Sequence, residues 1–125
     1  GEHTGLKIYV DATTPAQSTN TGGSLYTAMS DTIAPLLIGT RRQTAWLDGN
    51  LDEFCLFNTQ LSDAQVLAIY NLGIPKDESS HAGLIGYWRM GDDGSVFNII
   101  DDDSSNNNSG IMTNMVAADI ETVVP

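Results

Sequence analysis

Carboxylates are the side chains of this chain with the most capacity for chemistry, and their spacing limits that chemistry. Asp52 and Glu53 are adjacent in the run LDEFCLF, whose apolar pattern predicts a strand covered on both faces. Adjacent residues of a strand point to opposite faces. Retaining glycoside hydrolysis needs two carboxylates roughly 5 Å apart across a cleft. This pair cannot form such a site by itself, so we expect a protein that is not an enzyme.

The other reactive groups are one cysteine, Cys55, and two histidines, His3 and His81. A nucleophilic cysteine needs a base beside it, and both histidines lie in polar, loop-like stretches. A free cysteine is most often a small buried hydrophobic residue, and a single one excludes a disulfide framework within the chain. We therefore expect Cys55 to be buried and both histidines to lie on the surface.

Acidic residues outnumber basic residues by 16 to 5, which gives a formal net charge of −11. This charge argues against nucleic acid, which binds to a basic face, and against anionic membrane surfaces. No apolar run approaches the roughly 20 residues that span a bilayer. The acids cluster at Asp92–Asp93 and at Asp101–Asp103. Such a cluster is either simply solvated or binds a cation, for which calcium, with its preference for oxygen ligands, is the first candidate.

Two arginines and a tryptophan could recognise a sugar or an anion. Arg41, Arg42 and Trp46 lie just before the Asp48–Gly49 turn, and a flat indole can stack on a pyranose face. The alternative is a tryptophan that covers the edge of the core, because Trp is usually highly buried. Loop residues carry function more often than core residues do. The other polar or aromatic candidates for glycan binding are Tyr26, Asn106, Asn107 and Asn108.

One short helix is predicted to follow the LDEFCLF strand. Ser62 and Gln65 have the spacing of a capping box, and Leu61 and Val66 that of a hydrophobic staple. Gly73 is expected to end the helix, which must pack against a sheet because it is so short. The other predicted strands are Leu6–Val10, Ser24–Met29, Ala34–Gly39 and Gly83–Met90.

The stretch GNLDEFCLFNTQLSDAQV (49–66) resembles the end of laminin-G-like domains in the concanavalin-A-like superfamily. LKIYVDA (6–12), APLLIGTRR (34–42), GLIGYWRMGDDGS (83–95) and DDDSSNNNSGIM (101–112) resemble other segments of that family, and GYWRMGDD is similar to repeats in marine microbial or viral proteins. The resemblance implies an all-β, antiparallel jelly-roll sandwich with one short α-helix. Asp11–Ala12 replaces the tight Asp-Gly turn of the family, so we expect a longer loop there.

The order of these segments is unusual. In the family, the GYW-type strand opens the domain and the LDEF-type strand closes it, whereas here the closing elements (1–73) come first. A linker (74–83) and the opening elements (84–125) follow. The chain is either an excerpt from a tandem array or a permuted domain. The middle strands of the family are missing, which would leave a sheet edge or an apolar face exposed. We therefore expect a homo-oligomer.

The resemblance also implies function. Carbohydrate binding is the default in the superfamily, and many members hold a structural calcium ion between the opening and closing segments. The positions carried over are Asp52, Asp92 and Asp93, with the carbonyl of Gly91 or Gly94; the alternative for Asp52 is a carboxylate that accepts hydrogen bonds from loop amides.

The expected protein is a lectin-like module that is extracellular or virion-associated. The alternative is a structural or adhesion repeat with no ligand of its own. Asn107-Asn108-Ser109 also fits an N-glycosylation sequon, a triplet that often arises by chance.

Overall fold

The computed structural model describes residues 8–13, 33–41, 44–91 and 98–120. The chain divides into two compact units, Gly1–Trp46 and Leu47–Pro125. Most regular elements of the described residues are strands, joined by one short α-helix, which is compatible with the predicted all-β class. None of the helices in this part of the chain has the length and apolarity needed to cross a bilayer.

Within the first unit, the described residues form one tight turn and one pair of short strands. Val10 and Thr13 exchange two backbone hydrogen bonds of 2.9 Å. Asp11 and Ala12 between them have φ values of 50° and 55°, as a two-residue type I′ turn requires. The expectation of a longer loop was therefore wrong. Asp tolerates the left-handed region because its short side chain can hydrogen-bond locally.

Strands β1 (Thr40–Arg41) and β2 (Ala45–Trp46) are antiparallel and pair Thr40 with Trp46. The strand predicted over 34–39 is not formed, because Gly39 has a φ of 72° and pairing starts only after it. Leu36, in that segment, is 55% exposed. The strand predicted over Ser24–Met29 lies outside the described residues.

The second unit is built around an antiparallel pair, β3 (Phe54–Phe57) and β4 (Leu84–Trp88). The strand predicted before the helix therefore pairs with the strand predicted after the linker. β3 is shorter than predicted because Glu53 has a φ of 51°, outside the extended region. Two further short strands, β5 (Ile99–Ile100) and β6 (Gly110–Ile111), also pair antiparallel.

The predicted helix is confirmed as α1 (Asp63–Tyr70). The Ser62 hydroxyl accepts a hydrogen bond from the backbone N–H of Gln65, and the Gln65 side chain accepts one from the backbone N–H of Ser62. The α-helix ends earlier than expected, because Asn71 adopts the left-handed conformation with a φ of 44°. A 3-10 turn over Asn71–Gly73 then carries the chain to the predicted stop.

The buried apolar residues of the described part of the chain centre on β4: Leu84, Tyr87, Trp88 and Met112. The Trp88 ring lies over Gly86, where a Cβ atom would collide with the indole, and its centroid is 5.8 Å from that of Phe54. Cys55 is half-buried, and burial, followed by the charges of Glu53 and Glu78, raises its pKa to about 12. The thiol is therefore protonated at neutral pH.

Replacing Gly86→Ala should destabilise the protein by about 1–3 kcal/mol, because the added methyl displaces the Trp88 ring from a packed position. Gly49→Ala is the matched control, since a Cβ atom there meets nothing closer than Leu47 Cγ at 4.0 Å. Urea unfolding of both variants measures the difference. Equal free energies of unfolding for the two variants would contradict this account of the core.

Candidate functional site

The predicted aromatic candidate, Trp46, is exposed. Its side chain lies on β2 opposite Thr40, whose hydroxyl donates a 2.9 Å hydrogen bond to the Ala45 carbonyl and so fixes the strand pair. Trp46 is 47% exposed, whereas a tryptophan that covers the core edge should be largely buried. Its indole is therefore available to a ligand.

The structure does not bring Arg41 and Trp46 onto one face. Arg41 pairs with Ala45, one residue along from the pair that contains Trp46, and successive residues of a strand point to opposite faces. Asn106 and Asn107 belong to the second unit. Tyr26 and Arg42, and the calcium candidates Asp92 and Asp93, lie outside the described residues.

The carboxylate of Asp102 accepts three backbone hydrogen bonds in the second unit. Its Oδ1 atom accepts the backbone N–H groups of Tyr87 at 2.8 Å and Ser104 at 2.9 Å, and its Oδ2 atom accepts that of Asn108 at 2.7 Å. Burial acts to raise the pKa of Asp102, but the hydrogen bonds from Asn108, Tyr87 and Ser104 outweigh it and hold that pKa below its usual value. Asp102 is therefore charged at neutral pH and binds backbone amides.

Residues 101–109, here called the Asp102 loop, cover one edge of β4. The Asp103 N–H donates to the Tyr87 carbonyl at 2.8 Å, and Asn106 Nδ2 donates to the Ile85 carbonyl at 3.0 Å. In an antiparallel pair, alternate residues direct their backbone groups away from the partner strand. The loop satisfies these groups of β4 as a third strand would. Asn106 is therefore committed to the fold.

A second polar cluster surrounds the fully buried Tyr87. Its hydroxyl donates to the Glu53 carboxylate and lies 3.1 Å from the Lys76 carbonyl, and Arg89 Nε lies 3.4 Å from Glu53 Oε1. Burial and then the Glu53 hydrogen bond raise the pKa of Tyr87 well above its usual value. Tyr87 is thus a neutral hydrogen-bond donor that holds Glu53 in place.

The segment predicted as a linker reaches this cluster through the Lys76 carbonyl, and it also contains Glu78, which is only 4% exposed. Lys76 Nζ and His81 Nε2 each lie 3.2 Å from a Glu78 carboxylate oxygen. The His81 ring also packs edge-on against Phe57, with 5.7 Å between centroids. The expectation that His81 is a surface loop residue was therefore wrong, because the strand-to-strand connection folds back onto β3.

The described residues contain no group of three or more histidine, cysteine or acidic side chains placed to hold a metal ion. Asp52 is exposed, and its Oδ1 accepts the Glu53 N–H at 2.9 Å, which agrees with the hydrogen-bonding alternative for this residue. Calcium binding stays a prediction, because its two partner positions, Asp92 and Asp93, lie outside the described residues.

Sequence reasoning missed the roles of Glu78 and Asp102. A local signal existed for Asp102, since Asp-x-Ser is a sequence in which the carboxylate accepts the amide two residues on. For Glu78 the signal was weaker: Lys76 and His81 are near it in sequence, but nothing local indicates burial.

Comparisons of this chain with protein-family models, curated proteins and solved structures found no match. The resemblance to laminin-G-like domains therefore stays a prediction.

Asp102→Asn should destabilise the protein by about 2 kcal/mol at pH 7, because an amide has one acceptor oxygen for three N–H donors. A depressed pKa means that the stabilisation by Asp102 is present above the unfolded value of about 3.9 and is lost as pH falls through the folded pKa. The difference in free energy of unfolding between wild type and variant should therefore become smaller below about pH 4. Urea titrations at pH 7 and in acid measure it. Asp48→Asn, at an exposed position of the same unit, is the control for the loss of a charge, and a difference in unfolding free energy as large in acid as at pH 7 would contradict this role of Asp102.

Proposed function

We propose that this chain is a non-catalytic carbohydrate-binding module of the jelly-roll sandwich class, extracellular or virion-associated. The single observation that carries the proposal is the exposed Trp46 on a strand pair fixed by Thr40. An aromatic ring offers a large rigid contact area at low cost in conformational entropy. The apolar face of a pyranose ring is a suitable partner for it.

The net charge of the chain narrows the class of glycan. A formal charge of −11 repels sulfated or other acidic sugars over the range of a Debye length. A neutral glycan avoids this cost. Stacking on Trp46 would provide the affinity, and hydroxyl groups of the sugar would find their partners among the loops. Asn107 is exposed and stays a separate candidate within the second unit, while Tyr26 and Arg42 stay predictions outside the described residues.

Two of the carboxylates in the described residues are engaged within the fold. Glu53 is engaged with Tyr87 and Arg89, and Asp102 with three backbone amides. An acid/base pair needs two carboxylates that face a common cleft, whereas these hold the fold together. Calcium, where bound, would connect Asp52 with Asp92 and Asp93.

Trp46→Ala should weaken binding to a neutral glycan about fivefold or more, since loss of an aromatic contact at a binding site typically costs more than about 1 kcal/mol. A glycan array with wild-type protein, in calcium and again in chelator, identifies the ligand, and titration calorimetry gives the ratio of affinities. Leu36→Ala, at another exposed apolar residue of the same unit, is the control. Wild-type protein that is folded and binds no glycan in either buffer would overturn the proposal.

A structural or adhesion repeat is the second candidate, and a different observation favours it. Large aliphatic side chains of the second unit are exposed, and Leu72 reaches 82%. Where exposed apolar residues are contiguous on a surface, they mark contacts with other proteins. The other clearly exposed aliphatic residues of this unit include Leu51, Leu67, Ile74, Ile111 and Val116.

The repeat proposal predicts a homo-oligomer. Sedimentation equilibrium should give a mass that is a multiple of the chain mass and falls on dilution, because association follows mass action. Leu72→Gln should shift the distribution towards the monomer, while Asn107→Gln, at an exposed polar position, should leave it unchanged. A monomer at every concentration tested would count against this second candidate and leave the glycan proposal standing.

A further inference from the structure

The three consecutive asparagines at the tip of the Asp102 loop differ in what their groups contact. Asn106 Nδ2 donates to the Ile85 carbonyl at 3.0 Å. The backbone of Asn108 is held at both ends, since its N–H donates to Asp102 Oδ2 and its carbonyl accepts Trp88 Nε1 at 3.1 Å. The side chain of Asn107, in contrast, donates to the Ser105 carbonyl only two residues away, at 3.4 Å.

The backbone of Asn107 has an unusual conformation at the tip of this loop. Its φ of 53° lies in the left-handed region, which asparagine tolerates better than most residues. The residue is exposed. The neighbours on both sides are fixed to β4, so the loop presents the Asn107 carboxamide at a rigid tip. A group attached to Nδ2 would displace only a long local hydrogen bond.

The same residue begins the one Asn-x-Ser/Thr triplet of the whole sequence, Asn107-Asn108-Ser109. The middle residue is not proline, as acceptor triplets require. Ser109 is also exposed, and its hydroxyl lies 3.2 Å from Asp101 Oδ1. The triplet is an observation on the sequence, whereas the long, local hydrogen bond of the Asn107 side chain is an observation on the structure. Asn107 has both features. A triplet that arose by chance could equally have begun at Asn106, whose Nδ2 contacts β4.

We propose that Asn107 is an N-glycosylation site. In the transfer, the Asn107 amide nitrogen attacks the anomeric carbon of an oligosaccharide linked to a polyprenyl pyrophosphate. A new C–N bond forms, the bond from the sugar to the pyrophosphate oxygen breaks, the nitrogen loses one proton, and the lipid pyrophosphate leaves. The proposal rests on the extracellular location proposed above and not on glycan binding. A modified Asn107 carries a sugar and is then removed from the residues that could bind one.

The test uses the full chain behind a secretion leader, expressed in cells that contain an Asn-x-Ser/Thr oligosaccharyltransferase. The expected result is a heavier protein whose extra mass is removed by an amidase specific for N-glycans, which leaves aspartate at position 107 in the peptide map. Asn107→Gln and Ser109→Ala should each abolish the added mass. Folded, secreted wild-type protein with no added mass would overturn the proposal, whatever the glycan array shows.

Moving the acceptor triplet by one residue tests whether the position of Asn107 in the loop matters in addition to the triplet itself. The double substitution Asn107→Gln and Asn108→Ser places the triplet on Asn106, whose Nδ2 contacts β4. Glycosylated wild type should melt at the same temperature as wild type treated with the amidase. The relocated variant should be modified to a smaller extent, or its modified fraction should melt lower than its unmodified fraction. Equal occupancy and equal melting at the two positions would overturn the structural assignment of Asn107.

Discussion

The second unit depends on the hydrogen bonds that the carboxylate of Asp102 accepts. An isolated two-stranded pair is marginally stable in water, and β3 and β4 form such a pair in the described residues. By accepting backbone N–H groups from Tyr87, Ser104 and Asn108, Asp102 closes its own loop and fastens it to β4. The loop then takes the place of a third strand beside β4, with hydrogen bonds from both its side chains and its backbone. The loop also helps to hold the Trp88 ring, because the indole N–H of Trp88 donates a hydrogen bond to the Asn108 carbonyl.

The basic residues of this acidic chain are few, and two of them are used internally. Lys76 pairs with the buried Glu78, and Arg89 pairs with Glu53. Burying a carboxylate without a partner is costly, so these cations are required by the fold. Lys76 and Arg89 are therefore committed to ion pairs within the second unit. Arg41 is exposed, but the strand register directs it away from the face of Trp46.

The sequence predicted what local chemistry determines. Ser62 and Gln65 cap α1 as their spacing indicates, because a capping box involves residues only three apart. The roles of Glu78 and Asp102 could not be predicted in this way. The burial of Glu78 and the contact of Asp102 with Tyr87 on β4 depend on how the chain folds back on itself. The strand expected over 34–39 failed for a local reason: Gly39 was read as its last residue, whereas its positive φ separates that segment from β1.

The surface carries two kinds of apolar residue, and they need different partners. The indole of Trp46 is flat and carries an N–H donor, so a sugar can cover its face while the sugar's hydroxyl groups stay hydrated. Branched aliphatic side chains such as Leu72 and Ile111 offer neither a flat face nor a polar atom. A sugar laid on them would lose water from its hydroxyl groups without gaining hydrogen bonds, which costs free energy. Protein surface is the better partner for these residues. Glycan binding through the first unit and assembly through the second are therefore compatible within one chain.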